Sequence, residues 1–391
     1  MKKALVVGGN SGVGLAISLQ LLERGYDHIY IVGKEDVSAH DVPQHVYTAF
    51  KEKTSFRRVN LINEEYGFLA DIDDINTLVI TAGFGRVALF EDLHEAEVAN
   101  LVKCNLLSAI RIIKHYYHKI CSRNDFFCAV MGSIAGHVVS PFFSVYGATK
   151  TGLCSFVESL NIELAKAGVN NRVLDVSPGS INGTNFSGGG NDIAAISALA
   201  QSIVEKMMCR ETLYIPRFED VYASVLQRYH DDPFAFGCES YDYKLKQGRV
   251  SDKPSLVVGY LSGTFDLFHI GHLNLLRRAK EQCDYLIVGV HKSGAWKGKE
   301  TYIPYDERVE IVCNIKYVDK VIESFAEDSD AYDALHFHKL FVGSDYKGTE
   351  RFLRYEEYFK DKDVEIVYFP YTQGTSSTQL RSAIESKVVK K

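Results

Sequence analysis

The run Ala4-Leu5-Val6-Val7-Gly8-Gly9-Asn10-Ser11-Gly12-Val13-Gly14-Leu15-Ala16 sets four apolar residues directly before a glycine-rich turn and an apolar helix start. Such a pattern reads as a strand, a tight turn and the first turn of a helix. Glycine suits the turn because it admits positive φ and lets backbone N–H groups approach a ligand closely. The helix start offers N–H donors at its positive end, a place for a pyrophosphate. Ordinary strand–helix turns also use glycine, so the spacing Gly8-x-x-x-Gly12-x-Gly14 says more than the count. Met1-Lys2-Lys3 carries the charge of a secretory leader. The apolar run nevertheless breaks at Gly8-Gly9 with no cleavage site after it, and a buried first strand is expected.

Outward from this stretch the same kind of run recurs as HIYIVG (28–33), TLVITAG (77–83), FFCAVMGS (126–133) and RVLDVSPG (172–179). Nearly continuous apolar character is the mark of parallel strands buried on both faces. Amphipathic stretches lie between them, such as 14–24 and 145–166, so a doubly wound, Rossmann-type sheet is expected. Residues 237–254 turn polar and read as a linker. A second series then begins with SLVVGYLSGTFD (255–266) and continues through YLIVGVH, KLFVGSD and VEIVYFP. The expectation is an α/β protein of two domains, 1–236 and a smaller Rossmann-like 255–391, which suits a chain of 391 residues, too long for one ordinary core.

Hydrophobic residues make up 46% and charged residues 24%, the balance of a globular protein rather than a disordered one. The net charge of -6 comes without a basic stripe, which argues against a nucleic-acid partner. No apolar run is long enough to span a bilayer. The eight cysteines form neither CxxC pairs nor regular spacings. No disulfide framework or protein-held metal is expected, and a cytoplasmic location fits.

Tyr146-Gly-Ala-Thr-Lys150 sits in a helical stretch, where positions four apart share a face. A nearby ammonium favours the phenolate and would lower the tyrosine pKa, making a usable proton donor. Ser133, at a strand end, could hold a carbonyl oxygen. With Asn105, Thr81-Ala82-Gly83 and Ser177-Pro178-Gly179, these residues stand in order along residues 1–236. That whole stretch resembles the short-chain dehydrogenase/reductase family. The resemblance implies Tyr146 as general acid, Ser133 as carbonyl holder, Lys150 as ribose ligand and tuner of the tyrosine, and Asn105 as holder of a relay water. It implies coenzyme contacts from Gly8, Asn10, Ser11, Gly12, Val13, Gly14, Ala82, Gly83, Pro178 and Gly179. Ile80-Thr81 replaces the family's usual Asn-Asn. A carboxylate at the end of the second strand would select NADH. The sequence there is Ile31-Val32-Gly33-Lys34, so NADPH is expected, with Lys34 as a coenzyme ligand and Glu35 and Asp36 close behind.

In Gly263-Thr264-Phe265-Asp266-Leu267-Phe268-His269-Ile270-Gly271-His272, two histidines open an apolar helix. This aims imidazoles and helix-start N–H groups at one spot, which suits anionic oxygens. Zinc would want more ligands than Asp266 nearby. Lys297-Gly298-Lys299, Glu307-Arg308 and Thr375-Ser376-Ser377-Thr378-Gln379-Leu380-Arg381 add further donors. Residues 255–385 resemble the HxGH nucleotidyltransferase superfamily, and most closely the cytidylyltransferases acting on glycerol 3-phosphate. The resemblance implies that His269 and His272 stabilise charge on the α-phosphate. Lys297, Lys299 and Arg308 would hold substrate phosphate and pyrophosphate, and Ser376, Ser377 and Thr378 the triphosphate. Gly263, Thr264, Phe265, Asp266 and Asp345 would line the nucleotide site, with Mg²⁺ accompanying CTP. Tyr371 stands where close relatives have arginine.

The combined expectation is a bifunctional enzyme with small-molecule substrates. One half would reduce a ketose phosphate with NADPH, by pathway analogy ribulose 5-phosphate to ribitol 5-phosphate. The other would couple the alditol phosphate to CTP, giving pyrophosphate and a CDP-alditol such as CDP-ribitol for capsule or cell-wall polysaccharide. Two alternatives stay open. One is a CDP-glycerol-type transferase carrying a non-catalytic NADP-sensing or dimerising reductase-like domain. The other is an adenylyltransferase fused to a reductase. By resemblance to both families, a homo-oligomer (dimer or tetramer) is expected.

Overall fold

A computed structural model describes residues 1–38, 40–184, 186, 191–248, 257–293, 300–362, 364–370 and 379–382. The chain divides into two compact units, Met1–Lys253 and Pro254–Lys391.

The first unit is built on seven parallel strands: β1 Lys3–Val7, β2 His28–Gly33, β3 Thr54–Arg58, β4 Thr77–Ile80, β5 Phe127–Met131, β6 Val173–Val176 and β7 Leu213–Tyr214. Their order is β3-β2-β1-β4-β5-β6-β7, which reverses direction at β1 and opens a crevice between the carboxyl ends of β1 and β4. Successive strand residues point to opposite faces, and both faces are buried. Leu5, Val7, Leu78, Ile80 and Val130 pack with Ile112 and Leu153, from the helices Ser108–Ile120 and Ser144–Lys166. Ala4, Val6, Val79, Ala129 and Leu174 pack with Leu15 and Ile203, from Gly12–Glu23 and Ile193–Met208. Each such aliphatic side chain contributes about 1.5–3 kcal/mol by leaving water.

The stretch read as a linker is different. Its first ten residues belong to a helix, Pro233–Lys246, capped by the Asp232 carboxylate, which accepts from the Ala235 N–H. Tyr241 stacks on Phe142 at 4.4 Å, and the buried Lys244 donates to Ser140 Oγ and Pro141 O, each at 2.7 Å. Its polar surface residues hide the helix in the sequence, and contacts such as these tie it to the first unit.

The second unit has five parallel strands: β8 Val258–Gly263, β9 Tyr285–Val290, β10 Lys320–Glu323, β11 Lys339–Gly343 and β12 Glu365–Phe369. The order β10-β9-β8-β11-β12 again reverses at the first strand, β8. Leu261, Val288 and Phe341 form its core with Leu276 and Val312. Among the described residues no helix is long and apolar enough to cross a membrane.

Candidate active sites

The turn after β1 is shaped by glycines that nothing else could replace. Gly8 has φ +86°, and a Cβ there would lie 2.5 Å from Ala82 N; a Cβ on Gly14 would lie 2.2 Å from Gly8 O. Thr81, in place of the usual asparagine, donates its hydroxyl to the carbonyls of Val7 and Gly8, both at 3.2 Å, and so locks the same turn. The cradle that a Cβ would fill fits a pyrophosphate lying against backbone. Ser11 is the N-cap of helix Gly12–Glu23 but makes no side-chain capping bond, and no acid stands in the first turn of that helix, which includes Val13 and Gly14. The Gly12 N–H donates to Asn191 Oδ1 at 3.0 Å, and the Asn191 amide donates in turn to Asp41. Sequence reading had no signal for this contact from 179 residues away.

Asn10 lies over the end of β2, where a Cβ on Gly33 would meet its Oδ1 at 2.2 Å. Lys34 follows, exposed, and Arg58 of β3 donates its Nε to the Lys34 carbonyl at 2.9 Å. Asp36 turns its carboxylate onto the Val37 N–H at 2.7 Å. Lys34 and Arg58 thus meet at this corner beside Glu35 and Asp36, and Arg58 is a residue the sequence reading missed. The β2–β3 register that pairs it with Gly33 is a tertiary fact.

Tyr146 and Lys150 share one face of helix Ser144–Lys166, and both are buried. The Tyr146 hydroxyl bonds to Ser133, and its ring lies between Phe143 at 5.2 Å and Phe186 at 5.5 Å. Ser133 Oγ also accepts from the Ala135 N–H at 3.2 Å, which fixes its rotamer. One expectation needs correcting. Burial pushes the Tyr146 phenol above its ordinary value of 10, with the Ser133 bond partly offsetting it. The Lys150 ammonium, 5.7 Å from the ring centroid, donates to the Met131 carbonyl at 2.7 Å instead of the phenol. Gly83 leaves room beside that ammonium, since a Cβ there would lie 3.4 Å from Nζ.

Asn105 sits in a π-helical turn, Lys103–Leu107, of the kind often found at functional sites. Its side chain is committed: Oδ1 accepts from the Phe84 N–H at 3.0 Å, and Nδ2 donates to Phe84 O at 2.8 Å and to Thr149 Oγ1. It clamps the loop after β4 to helix Ser144–Lys166 and leaves one lone pair of Oδ1 without a donor among the described residues. Pro178 O accepts from the Ile134 N–H at 2.9 Å, joining the loop after β6 to the Ser133 segment. Gly179 packs against Tyr222. Behind Ser133, donor atoms of His137, Cys154 and Asp175 lie within 4.8 Å of one another. Ser177 Oγ fills the space among them, at 2.8 Å from Asp175, 3.0 Å from His137 and 3.7 Å from Cys154. The group is a hydrogen-bonded hub beneath Ser133.

Burial depresses the Lys150 ammonium from 10.5 to about 8. If its charge is needed for reduction, the rate falls as pH rises through about 8, which NADPH oxidation across pH 6.5–9.5 (about three units of span) would reveal. The sign for stability is opposite. The folded chain holds this proton less tightly than the unfolded one, so the burial cost is present below about pH 8 and relieved as pH rises towards 10.5.

The second site lies at the carboxyl end of β8. A Cβ on Gly263 would strike the Phe265 ring at 2.9 Å, and Phe265 and Leu267 have φ of +52° and +50°. Positive φ on such residues costs about 1–3 kcal/mol each and clusters at functional sites. The strain swings the chain so that His269 caps helix Ile270–Lys280, its Nδ1 accepting from the Gly271 N–H at 3.0 Å. With Nδ1 an acceptor, the neutral ring carries its proton on Nε2. Burial lowers His269 from 6.5, which favours that neutral form. The His272 ring stacks on it at 4.0 Å and packs against Phe265 and Phe268. Asp345, exposed, sits at the end of the neighbouring β11, its Oδ1 over Gly343.

Two of the expected site residues are also bonded within the protein. Arg308 is 0% exposed, and four of its five N–H donors go to carbonyls: Ile303 at 2.9 Å, Thr264 at 2.5 Å, and His291 and Lys292 each at 2.8 Å. Through these four bonds it braces the site's loops. Asp266 is likewise buried at 4%. It accepts from the N–H groups of Tyr302 and Ile303 and pairs with Arg381 at 2.5 Å. These bonds anchor the segment at Tyr302 and Ile303 to the turn after β8. Lys297, Lys299, Tyr371, Ser376, Ser377 and Thr378 lie outside the described residues.

Residues 2–192 match the short chain dehydrogenase family, and residues 260–383 match the cytidylyltransferase-like family. Glycerol-3-phosphate cytidylyltransferase of Staphylococcus aureus is 35% identical over 132 residues, 33% of this chain and 95% of the relative. The chain belongs to the cytidylyltransferase-like family, with a short-chain dehydrogenase domain in front. The Bacillus subtilis glycerol-3-phosphate cytidylyltransferase is 39% identical over 126 residues, 31% of this chain and 92% of the relative. Carbonyl reductase family member 4 of Xenopus tropicalis is 28% identical over 181 residues, 46% of this chain and 75% of the relative. Both halves are thus enzyme domains, an oxidoreductase and a nucleotidyltransferase.

Proposed function

We propose that the two halves catalyse consecutive steps: NADPH-dependent reduction of a ketose phosphate, then cytidylyl transfer to the resulting alditol phosphate. The observation that carries this reading is the pairing itself. A Ser133–Tyr146–Lys150 reductase site makes an alcohol. The unit behind it is similar to enzymes named for transfer to an alcohol phosphate, glycerol 3-phosphate. The product of one site is the nucleophile of the other. Ribulose 5-phosphate, giving CDP-ribitol, is the preferred substrate, and CDP-glycerol the near variant.

Bound NADPH supplies the hydride. Ser133 holds the carbonyl oxygen, and Tyr146, fully protonated near neutrality, gives its proton to that oxygen as the carbon is reduced. Lys150 then lies where it can bind ribose hydroxyls and offset the negative charge left on the phenolate. Lys34 and Arg58 at the end of β2, with Gly33 in place of a carboxylate, support NADPH over NADH. In the second unit a phosphate oxygen of the alditol phosphate attacks the α-phosphorus of CTP, and the bond to the bridging oxygen breaks to release pyrophosphate. His269 Nε2 and His272 stand to donate to the charge that builds on the phosphoryl oxygens. Mg²⁺ is expected to arrive on the triphosphate. A homo-oligomer, as in both families, completes the proposal.

The deciding experiment incubates the full chain with NADPH, CTP or ATP, Mg²⁺ and a panel of ketose phosphates. Oxidation of NADPH followed by pyrophosphate release is expected with one of them and CTP. If CTP couples to supplied alditol phosphates while NADPH is never oxidised, the reductase half is a sensing or dimerising module. Coupling with ATP alone would make the second half an adenylyltransferase.

A further inference from the structure

Arg86 lies in the loop after β4, one residue beyond Gly85, and Gly85 abuts the catalytic tyrosine. A Cβ on Gly85 would meet the Tyr146 ring at 3.0 Å, Phe186 at 2.9 Å and Phe143 at 3.3 Å. The Ala88 N–H donates to Phe142 O at 3.0 Å, which holds this loop along the same wall. The Arg86 side chain is only 7% exposed. Its Nη1 pairs with Glu97 at 2.7 Å and reaches Asp92 O at 3.4 Å. Its Nε is buried with no hydrogen-bond partner among the described residues. Arg24 and Arg210 also bury an unbonded Nε, but the rest of their side chains is 31% and 30% exposed. At Arg86 water is largely shut out, and a buried guanidinium donor without an acceptor is a costly arrangement for a fold to keep.

We propose that Arg86 is the receptor for the phosphate of the reductase substrate, its Nε–H and the neighbouring Nη2 forming the two-pronged donor that a phosphate oxygen pair accepts. The inference rests on the reading of the first unit as a ketose phosphate reductase and adds how that substrate is recognised. The carbonyl end lies at Tyr146 and Ser133, and the anionic end lies along the Gly85–Arg86 loop. Glu97, itself buried and accepting from the His94 N–H at 3.1 Å, holds the guanidinium from the far side and fixes its plane. Asp92 contributes its backbone carbonyl only.

The test compares the full chain with Arg86→Lys, which keeps the charge opposite Glu97 but has no Nε–H fork, and with the double variant Arg86→Gln/Glu97→Gln. Two quantities are read in the presence of NADPH: calorimetric binding of inorganic phosphate, and the ratio of kcat/KM for a ketose phosphate to that for the unphosphorylated ketose. Unfolding midpoints verify that each variant is folded. Both variants are expected to lower the ratio by about 30-fold and weaken phosphate binding to a similar degree. An unchanged ratio and unchanged phosphate binding in folded Arg86→Lys overturn the assignment. If the wild-type chain reduces no ketose phosphate yet binds phosphate through Arg86, the anion site stands and the substrate reading falls. If it reduces none and phosphate binding ignores Arg86, the inference is overturned as well.

Discussion

Tyr146→Phe should slow carbonyl reduction by about 10³-fold and leave pyrophosphate release from supplied alditol phosphate and CTP intact. The substitution removes one hydroxyl and keeps the ring that Phe143 and Phe186 enclose at 5.2 and 5.5 Å, so the fold has no reason to change. What is lost is the proton donor bonded to Ser133. Because burial holds the phenol above its ordinary value, the wild-type donor stays protonated across the neutral range, and its removal is felt at every pH there. NADPH oxidation and pyrophosphate release, followed in one preparation, give the answer. Persistent reduction would remove Tyr146 from the acid role, and loss of both activities would mean the two units are energetically coupled.

Arg308→Lys should unfold the second unit at markedly lower denaturant, with a loss of about 3 kcal/mol or more, and should abolish transfer while reduction survives. The guanidinium serves four backbone carbonyls from three separate segments, at Thr264, at His291 and Lys292, and at Ile303. A lysine ammonium is a single point with three donors and cannot span that set, so charge alone does not rescue it. The choice of variant separates two roles. A residue that merely attracted phosphate would keep part of its function as lysine and leave the unfolding midpoint alone. Unfolding followed by tyrosine fluorescence, beside pyrophosphate release, distinguishes them; an unchanged midpoint with a lowered kcat would restore Arg308 to direct contact with substrate.

Much of the chemistry was legible because it is local. A strand buried on both faces needs consecutive apolar residues, and β1, β4, β5 and β6 carry them. Helix Ser144–Lys166 begins within a residue of its expected start, and its pitch alone brings Tyr146 and Lys150 to one face. Gly8 and Gly14 stand where a Cβ would collide with backbone, which is why their spacing is informative. His269 caps its helix through a residue two positions along.

Two α/β units, a glycine cradle, a tyrosine–lysine pair and a histidine pair can be read from local sequence, since each is set by residues within a turn or two of one another. The tertiary structure alone decided what the charged residues do. Arg308 and Arg86 are the same side chain in a sequence, yet one gives four of its five donors to carbonyls and the other buries an Nε with no partner among the described residues. Asp266 became an anchor through Arg381, 115 residues away, and Arg58 reached the coenzyme corner through β2–β3 register. Whether a charge serves the backbone, another charge or a ligand depends on which groups the fold brings within about 3 Å of it, and no local pattern carries that distance.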